Sequence, residues 1–369
     1  MLPVLNLPVL AFECIQNHLN LRDLIELSFC SKRIRNLIKK LEKPKNSIHF
    51  EVQAMKNKAT VSLKDEKRGQ FEWRWFWKRE GIQIYVDHWF QRSLNDKEWT
   101  FGVYKDQWIT PESTGSMDSC LILMVQYLKD LFQCEIDVLC VYFAQDMDFQ
   151  KLFVETNDFH RVRRFIRIGG CYLSHWEMTF LLDHLKTQWL DLEGNMDQNP
   201  RTRSQVFEYT GPFEYSKPIE YMGFHLKYSF WITEQIFWDI VWKTVTLKFG
   251  HSELAKNVPM INKFLREWIE GDNYVVEHVK LFRMWNFGEE WTPDTVFSYQ
   301  SVLEGITNVA GAKKRAEASQ FYDTGARYED GRDIRRKDGK WATVIAEYDD
   351  DEYYHFEFVV WNCPNPNEE

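Results

Sequence analysis

The sequence predicts a chain of mixed class, α+β in its first third and α/β beyond, and three observations predict it. Apolar residues recur at helical spacing through residues 7–41. Between Phe71 and Trp77 aromatic rings alternate with polar side chains, the period of a strand. From about residue 118 onward helix-like and strand-like stretches alternate, with strands at roughly 26-residue intervals, the period of a leucine-rich-repeat-like α/β solenoid. The expected order is a three-helix unit, an antiparallel β meander, an irregular solenoid of that kind and a C-terminal β hairpin.

In the first segment, Pro8 suits the first turn of a helix, where its missing N–H costs nothing. Phe12, Ile15 and Leu19 follow at helical spacing. Asn20 is placed to cap a second helix, with Asp23 three residues on, and Leu24, Ile25 and Leu27 give that helix its apolar side. Ser31 starts a third helix whose stripe is Ile34, Leu37, Ile38 and Leu41, and Pro44 ends it. A unit of about forty residues buries too little surface to be stable alone, so an apolar face is expected to be covered by something else.

In the next segment Phe71, Trp73, Trp75 and Trp77 form the aromatic face of a strand, and Ile82–Val86 and Glu98–Tyr104 read as further strands, with turns at Gly69, Gly81 and Asn95–Asp96. Helices are then expected at 120–132, 149–157, 175–186, 233–242 and 259–270. Strands are expected at 136–143, 162–168, 188–192, 222–228, 244–249 and 275–282. Residues 312–330 read as a polar linker, 331–361 as strands turning at Asp338–Gly339 and Asp349–Glu352, and Pro364–Glu369 as a frayed end. The domain boundaries follow: 1–44, 45–117, 118–311 and 312–369.

Composition narrows the function. Hydrophobic residues are 44% and charged residues 27% of 369, which supports a folded chain with a large core. A net charge of -9 disfavours general binding to phosphate backbones. Seven cysteines, at 14, 30, 120, 134, 140, 171 and 363, form no CxxC pair, so neither a disulfide framework nor a structural zinc site is expected. Met1–Leu10 lacks the marks of a signal peptide and no apolar run reaches membrane-spanning length, so a cytoplasmic or nuclear location is expected. P-loop, GxSxG and HExxH signatures are missing. His175-Trp176-Glu177 has the HxE form without a downstream PCxxC. No catalytic residue, metal ligand or cofactor is expected. The basic residues Lys32, Arg33, Arg35, Lys39, Lys40, Lys43 and Lys45 read as the solvated side of an amphipathic helix.

The segment Leu7-Pro8 through Leu37 resembles the F-box. Leu7-Pro8 match its opening, Ile15 and Leu19 its first-helix apolar positions, Asp23-Leu24-Ile25 its Asp-Leu-Leu-type step, Ser31-Lys32 its Ser-basic pair and Arg35-Asn36-Leu37 its basic-x-Leu ending. It departs from the pattern at Leu10, in place of an acidic residue, at Cys30, in place of Val, and at Ile34, in place of Trp. Residues 118–361 resemble the type-2 F-box-associated domain of the expanded nematode F-box families, through Tyr127–Cys134, Asn262–Gly271 and Asp333–Gly339.

The resemblance implies a non-catalytic substrate-recognition subunit of a Skp–cullin–F-box ubiquitin ligase. Leu7, Pro8, Ile15, Leu19, Leu24 and Ile25 would bind a Skp-family adaptor and through it a cullin, and the later domain would bind an unidentified protein substrate. A scaffold that binds the adaptor without leading to degradation, and a protein- or nucleic-acid-binding module with a degenerate F-box, are the competing classes. In the solenoid reading Val138, Val141, Phe165 and Leu190 point into the core. Asp137, Arg163, Arg164, Arg167 and Asp191 line a charged concave surface that would meet the substrate.

Overall fold

The computed structural model describes residues 9–16, 18–41, 48–55, 58–76, 88–94, 97–104, 107–111, 116–143, 147–170, 172–173, 175–193, 195–196, 222–227, 229, 232–271, 274–284, 297–307, 309–311, 331–349 and 353–361. Leu7, Pro8, Pro44, the Ile82–Val86 strand, the Asn95–Asp96 turn, the 312–330 linker and Pro364–Glu369 lie outside the described residues. The chain divides into two compact units, Met1–Gln188 and Trp189–Glu369.

The first unit opens with helices α1 (Val9–Gln16), α2 (Leu21–Cys30) and α3 (Lys32–Leu41), as the apolar spacing requires. Asn20 caps α2 by accepting the backbone N–H of Asp23 at 2.8 Å, and Ser31 accepts that of Ile34 at 3.1 Å. Strands β1 (His49–Met55), β2 (Lys58–Asp65), β3 (Gly69–Phe76), β4 (His88–Leu94), β5 (Lys97–Tyr104) and β6 (Gln107–Pro111) follow. Then come helix α4 (Met117–Phe132), β7 (Ile136–Tyr142), a π-helical turn at Gln150–Val154, β8 (Val162–Gly169), the two-residue strand β9 (Tyr172–Leu173) and α5 (His175–His184).

The sheet of this unit runs β8-β7-β1-β2-β3-β6-β5-β4. It is not the expected simple meander. β1, β2 and β3 do meander, but β6 lies beside β3 in parallel, and β1 lies beside β7 in parallel. The insertion of β6 sets Trp73 in register with Trp108, and their rings meet edge to face at 5.8 Å. Phe71, Trp73 and Trp75 turn to one face, as their alternation requires, and all are buried. Helix α4 covers that face, packing on β2 and β3.

The second unit comprises β10 (Trp189–Leu192), β11 (Asn195–Met196), β12 (Gly223–Leu226), α6 (Glu234–Val241), β13 (Thr246–Gly250), α7 (Val258–Glu270), β14 (His278–Met284), α8 (Tyr299–Val302), β15 (Ala310–Gly311), β16 (Arg332–Arg335), β17 (Trp341–Asp349) and β18 (Tyr353–Trp361). Its main sheet runs β15-β16-β17-β18-β14-β13-β12-β10. The four strands β10, β12, β13 and β14 are parallel, and helices α6 and α7 occur in the connections that parallel pairing needs. β18, β17, β16 and β15 close the sheet with antiparallel pairing. One face is apolar throughout the parallel part: Leu190, Leu192, Phe224, Leu226, Leu247, Phe249, Val279 and Leu281 are all buried. Helix α7 lies on it through Phe264 and Trp268, whose rings meet Phe358 edge-on at 5.1 and 5.0 Å.

On the reverse face two rings crowd glycines. A Cβ at Gly223 would stand 2.3 Å from ring carbons of Trp189, and one at Gly250 would stand 2.5 Å from both the Lys227 carbonyl oxygen and the Phe282 ring. Gly223→Ala is therefore expected to displace Trp189 and cost about 1–3 kcal/mol, the range for overpacking. Thermal melting with tryptophan fluorescence checks this; an unchanged melt would mean that the ring lifts at no cost.

Candidate functional site

Helix α2 buries Leu21, Leu24, Ile25 and Ser28, the i, i+3, i+4, i+7 face. That face looks inward. α2 lies against α3 and β3, and α3 lies against α1 and α4. Leu24 and Ile25, expected at the adaptor surface, are fully buried against the rest of the chain. The unit too small to stand alone is covered, at least on this side, by the sheet and helix that follow it in the same chain. Of the other residues expected at the adaptor surface, Ile15 is 40% exposed and Leu19 is half-buried. Leu7 and Pro8 fall outside the described residues.

Tyr127 of α4 is the centre of the seam. Its ring stacks on Phe29 of α2 at 4.8 Å with an interplanar angle of 6°. Its hydroxyl shares a hydrogen bond with the Ser28 hydroxyl, which also lies within bonding distance of the Ile25 carbonyl. The guanidinium of Arg35 on α3 lies 4.6 Å over the same ring and donates to Asp130, one turn along α4, at 2.7 Å. Lys39, one turn further along α3, pairs with the other oxygen of Asp130. Phe29 also approaches Trp108 at 5.5 Å and Phe101 at 6.1 Å, so the seam continues into the sheet core. The basic stripe of α3 therefore has two sides. Arg35 and Lys39 bind Asp130, whereas Lys32, Arg33 and Lys40 face solvent.

The residues expected to meet substrate divide differently. β7 and β8 pair in parallel, within a mixed sheet in which β1 lies on the other side of β7. The pairing steps from Ile136–Val162 to Val138–Phe165, so Asp137 alone opposes both Arg163 and Arg164, the two-against-one count of a β-bulge. The bulge turns Arg163 inward. It donates to Asp137, which is only 1% exposed, from Nε at 2.7 Å, and Asp137 also accepts the backbone N–H of Phe50 at 2.9 Å. Arg164 is left exposed, and Arg167 lies over Phe165 at 5.3 Å.

Asp137 is thus an interior ion-pair partner and not a surface contact. Asp191, 2% exposed, is likewise interior and binds His225 Nδ1 at 2.9 Å. The expected core set also needs correction. Val138 and Val141 are an odd number of residues apart and cannot share a face. Leu139 and Val141 are buried, whereas Val138 and Phe165 are half-buried on the opposite side with Arg167.

In the second unit an unforeseen polar cluster surrounds Glu357 of β18, which is fully buried. It accepts from His278 at 2.8 Å and from His355 at 3.1 Å, and Lys280 lies 3.5 Å away. Burial raises the pKa of this carboxyl, but those three partners more than offset it and hold it below its ordinary range. Burial lowers the His278 pKa against the pull of Glu357, so a neutral imidazole donates to a carboxylate. Single-sequence reading offers a weak signal for such a cluster, a Glu alternating with apolar residues on a strand.

Among the described residues no group of three or more His, Cys, Asp or Glu side chains is placed to hold a metal, and no helix is long and apolar enough to cross a membrane. Comparison with family models matches the F-box domain at residues 4–46. No curated protein and no solved structure matches the chain. The chain contains an F-box domain, a non-catalytic adaptor module, and that domain implies association with a Skp-like adaptor and a cullin.

Burial pushes the Tyr127 phenol from its ordinary value of 10 up to about 12. The folded chain holds this proton more tightly than the unfolded one, so its contribution is complete below pH 10 and drains as pH rises toward 12. Cys120 and Cys134, pushed by burial from 9 to about 12, act in an overlapping window. Tyr127→Phe keeps the stack on Phe29 and removes one of these protons. Its loss of stability between pH 10 and 12, followed by circular dichroism, is expected to be shallower than the parent's. Superimposable profiles would show that the phenol does not titrate with unfolding.

Proposed function

We propose that this chain is the substrate-recognition subunit of a Skp–cullin–F-box ubiquitin ligase. Its F-box binds the adaptor through Leu7, Pro8, Ile15 and Leu19, and the domains that follow hold a protein substrate. The observation that carries this reading is the F-box match at residues 4–46. Ubiquitin transfer would then be promoted by proximity, through a raised local concentration of substrate lysines, with the transfer chemistry on other subunits.

In this reading residues 118–311 act as a type-2 F-box-associated domain of leucine-rich-repeat-like α/β repeats, entered through 45–117 and closed by the C-terminal hairpin of 312–369. Two of the stretches that carry the resemblance support it by packing on each other. Arg336 lies 5.3 Å over the ring of Trp268, and the N–H of Lys337 donates to the carbonyl of Ile269 at 3.1 Å. The third, Tyr127–Cys134, contributes Tyr127, Leu128, Leu131, Phe132 and Cys134 to the core of the first unit. The departures from the F-box pattern do not favour a degenerate module at the one interior position among them that is described: Ile34, in place of Trp, is buried at 3% exposure and keeps its apolar role. Of the substrate surface first expected, Arg164 and Arg167 remain as contact candidates.

Replacing Leu7 and Pro8 together with Ala is expected to reduce copurification of a Skp-family adaptor, at about 1.5–3 kcal/mol for each buried apolar side chain lost. Undiminished adaptor binding by the double variant would overturn the F-box reading. Charge reversal at Arg164 and Arg167 is expected to weaken capture of the substrate and leave the melting temperature nearly unchanged. A large drop in melting temperature would instead assign them to the fold.

A further inference from the structure

Helix α5 turns Met178, Leu181 and Leu182 inward, and all three are buried. On an amphipathic helix the opposite side is polar. Here it carries Trp176, Phe180, Asp183 and His184, the i, i+4, i+7 and i+8 positions of one face. Trp176 is 49% exposed, the one Phe or Trp so open among the described residues. A helix with apolar side chains on both sides is one that something covers on both sides.

The rings of this face support one another. The buried Phe149, beside the π-helical turn, meets Trp176 at 5.5 Å and Phe180 at 6.1 Å, with interplanar angles of 89° and 81°. His184 stacks on Phe180 at 4.0 Å, and its Nδ1 donates to the Phe180 carbonyl at 2.9 Å. His160 lies 5.7 Å from the same ring. Phe180 is thus enclosed, and Trp176 is the ring left open.

The charge around this ring is one-sided. α5 has two acids, Glu177 and Asp183, and neither Lys nor Arg. The exposed Asp148 and Glu155 stand at the two ends of the π-helical turn. Lys151, the cation of that turn, is taken by Asp118 at 3.0 Å. The exposed Lys186 follows α5 by two residues. Asp148, Glu155 and Asp183 form no ion pair among the described residues. Asp183 is half-buried, and one of its carboxylate oxygens is shut from solvent without a donor. Its charge is unanswered within the chain, and a cation at its open side would stabilise it. An open indole and an unanswered carboxylate on one face are complementary to basic side chains. The helix rises about 10 Å between Trp176 and Asp183, roughly the reach of three residues in an extended segment.

We propose that the outer face of α5 binds a basic segment of the protein substrate, with one Lys or Arg over Trp176 and another, about three residues along, at Asp183. The proposal rests on the substrate-recognition reading and names the chemistry of what is recognised. Fluorescence anisotropy of the full-length chain with a labelled peptide of Arg-Gly-Gly repeats tests it, with Gln-Gly-Gly and Leu-Gly-Gly repeats as comparisons. The arginine peptide is expected to bind most tightly, and less tightly as salt rises. Trp176→Ala and Asp183→Asn are each expected to weaken it roughly fivefold, the effect of losing one cation–π or charge contact, and Trp176→Phe to retain most of the affinity. Glu66→Gln, at an exposed acid in the turn between β2 and β3, is expected to leave it unchanged. If Trp176→Ala lowers the melting temperature, Asp183→Asn is read in its place.

Equal binding of the glutamine peptide overturns the proposal, as does undiminished binding of the arginine peptide by a folded Trp176→Ala or Asp183→Asn variant. Equal weakening by Glu66→Gln overturns it too, since the peptide would then sense only the net charge. Preference for the leucine peptide assigns the face to an apolar partner, and self-association of the chain that Trp176→Ala abolishes assigns it to a second copy; either overturns the proposal. Adaptor copurification is measured separately: its persistence with no peptide binding removes this inference alone, and its loss leaves the peptide result standing.

Discussion

The arrangement of the first unit depends on the contact between Phe29 and Tyr127. A three-helix segment of this size cannot close a core of its own. Here the deficit is met within the chain, because the apolar face of α2 turns toward β3 and α3 while Phe29 reaches the ring of α4. Tyr127 can be buried only because its hydroxyl finds Ser28, and the Arg35 guanidinium above it is anchored by Asp130. Aromatic stacking, a buried hydroxyl pair and an ion pair thus meet on two turns of one helix. A change at any of them disturbs the others, since neighbouring contacts on one network do not contribute independently.

This packing has a functional consequence. An F-box whose Leu24 and Ile25 are already covered has less apolar surface for a partner than its sequence pattern suggests. The part left accessible, with Ile15 and Leu19, belongs to α1 and the turn before α2. Arg35 and Lys39 are bound to Asp130, so the helix that carries the basic stripe is oriented by α4. The direction in which the F-box presents itself is accordingly coupled to the strands that α4 covers, β2 and β3. In the proposed role such coupling would count, because a substrate lysine held at a fixed distance reacts at a higher effective concentration than one on a loose tether.

Local structure was readable in the sequence wherever a short-range signal existed. Asn20 and Ser31 mark helix starts, Phe71 to Trp75 declare a strand by alternation, and α4, β7, β8, β10, α6, β13, α7 and β14 fall within a few residues of their expected places. What could not be read was non-local. Nothing in Gln107–Pro111 says that it will lie beside β3 in parallel, because the hydrogen-bonding pattern of a strand does not depend on its neighbour's identity. Taking Val138 with Val141 as core put Asp137 on the surface, whereas strand alternation sets it with the buried Leu139 and Val141. What no local pattern declares is the extra residue in β8 that gives Asp137 the partner Arg163. The same limit applies to the polar cluster around Glu357, whose partners come from β14 and from β18 itself.

These non-local features share a physical logic. A carboxylate with almost no exposure is tolerated only when other groups satisfy it. In both units strand register supplies such groups: Arg163 and the Phe50 amide for Asp137, and His278 and Lys280 for Glu357, to which His355 adds from the same strand. Each interior acid therefore fixes the direction of basic side chains that are themselves partly exposed. A substitution that removes the acid would release the base and leave the hydrophobic core intact. A substitution of the base would strand a charge in the interior and cost stability first. The half-buried Arg163 and Lys280 are held by acids on neighbouring strands, so their geometry is set by folding, which lowers the ordering cost that a flexible side chain otherwise brings to recognition.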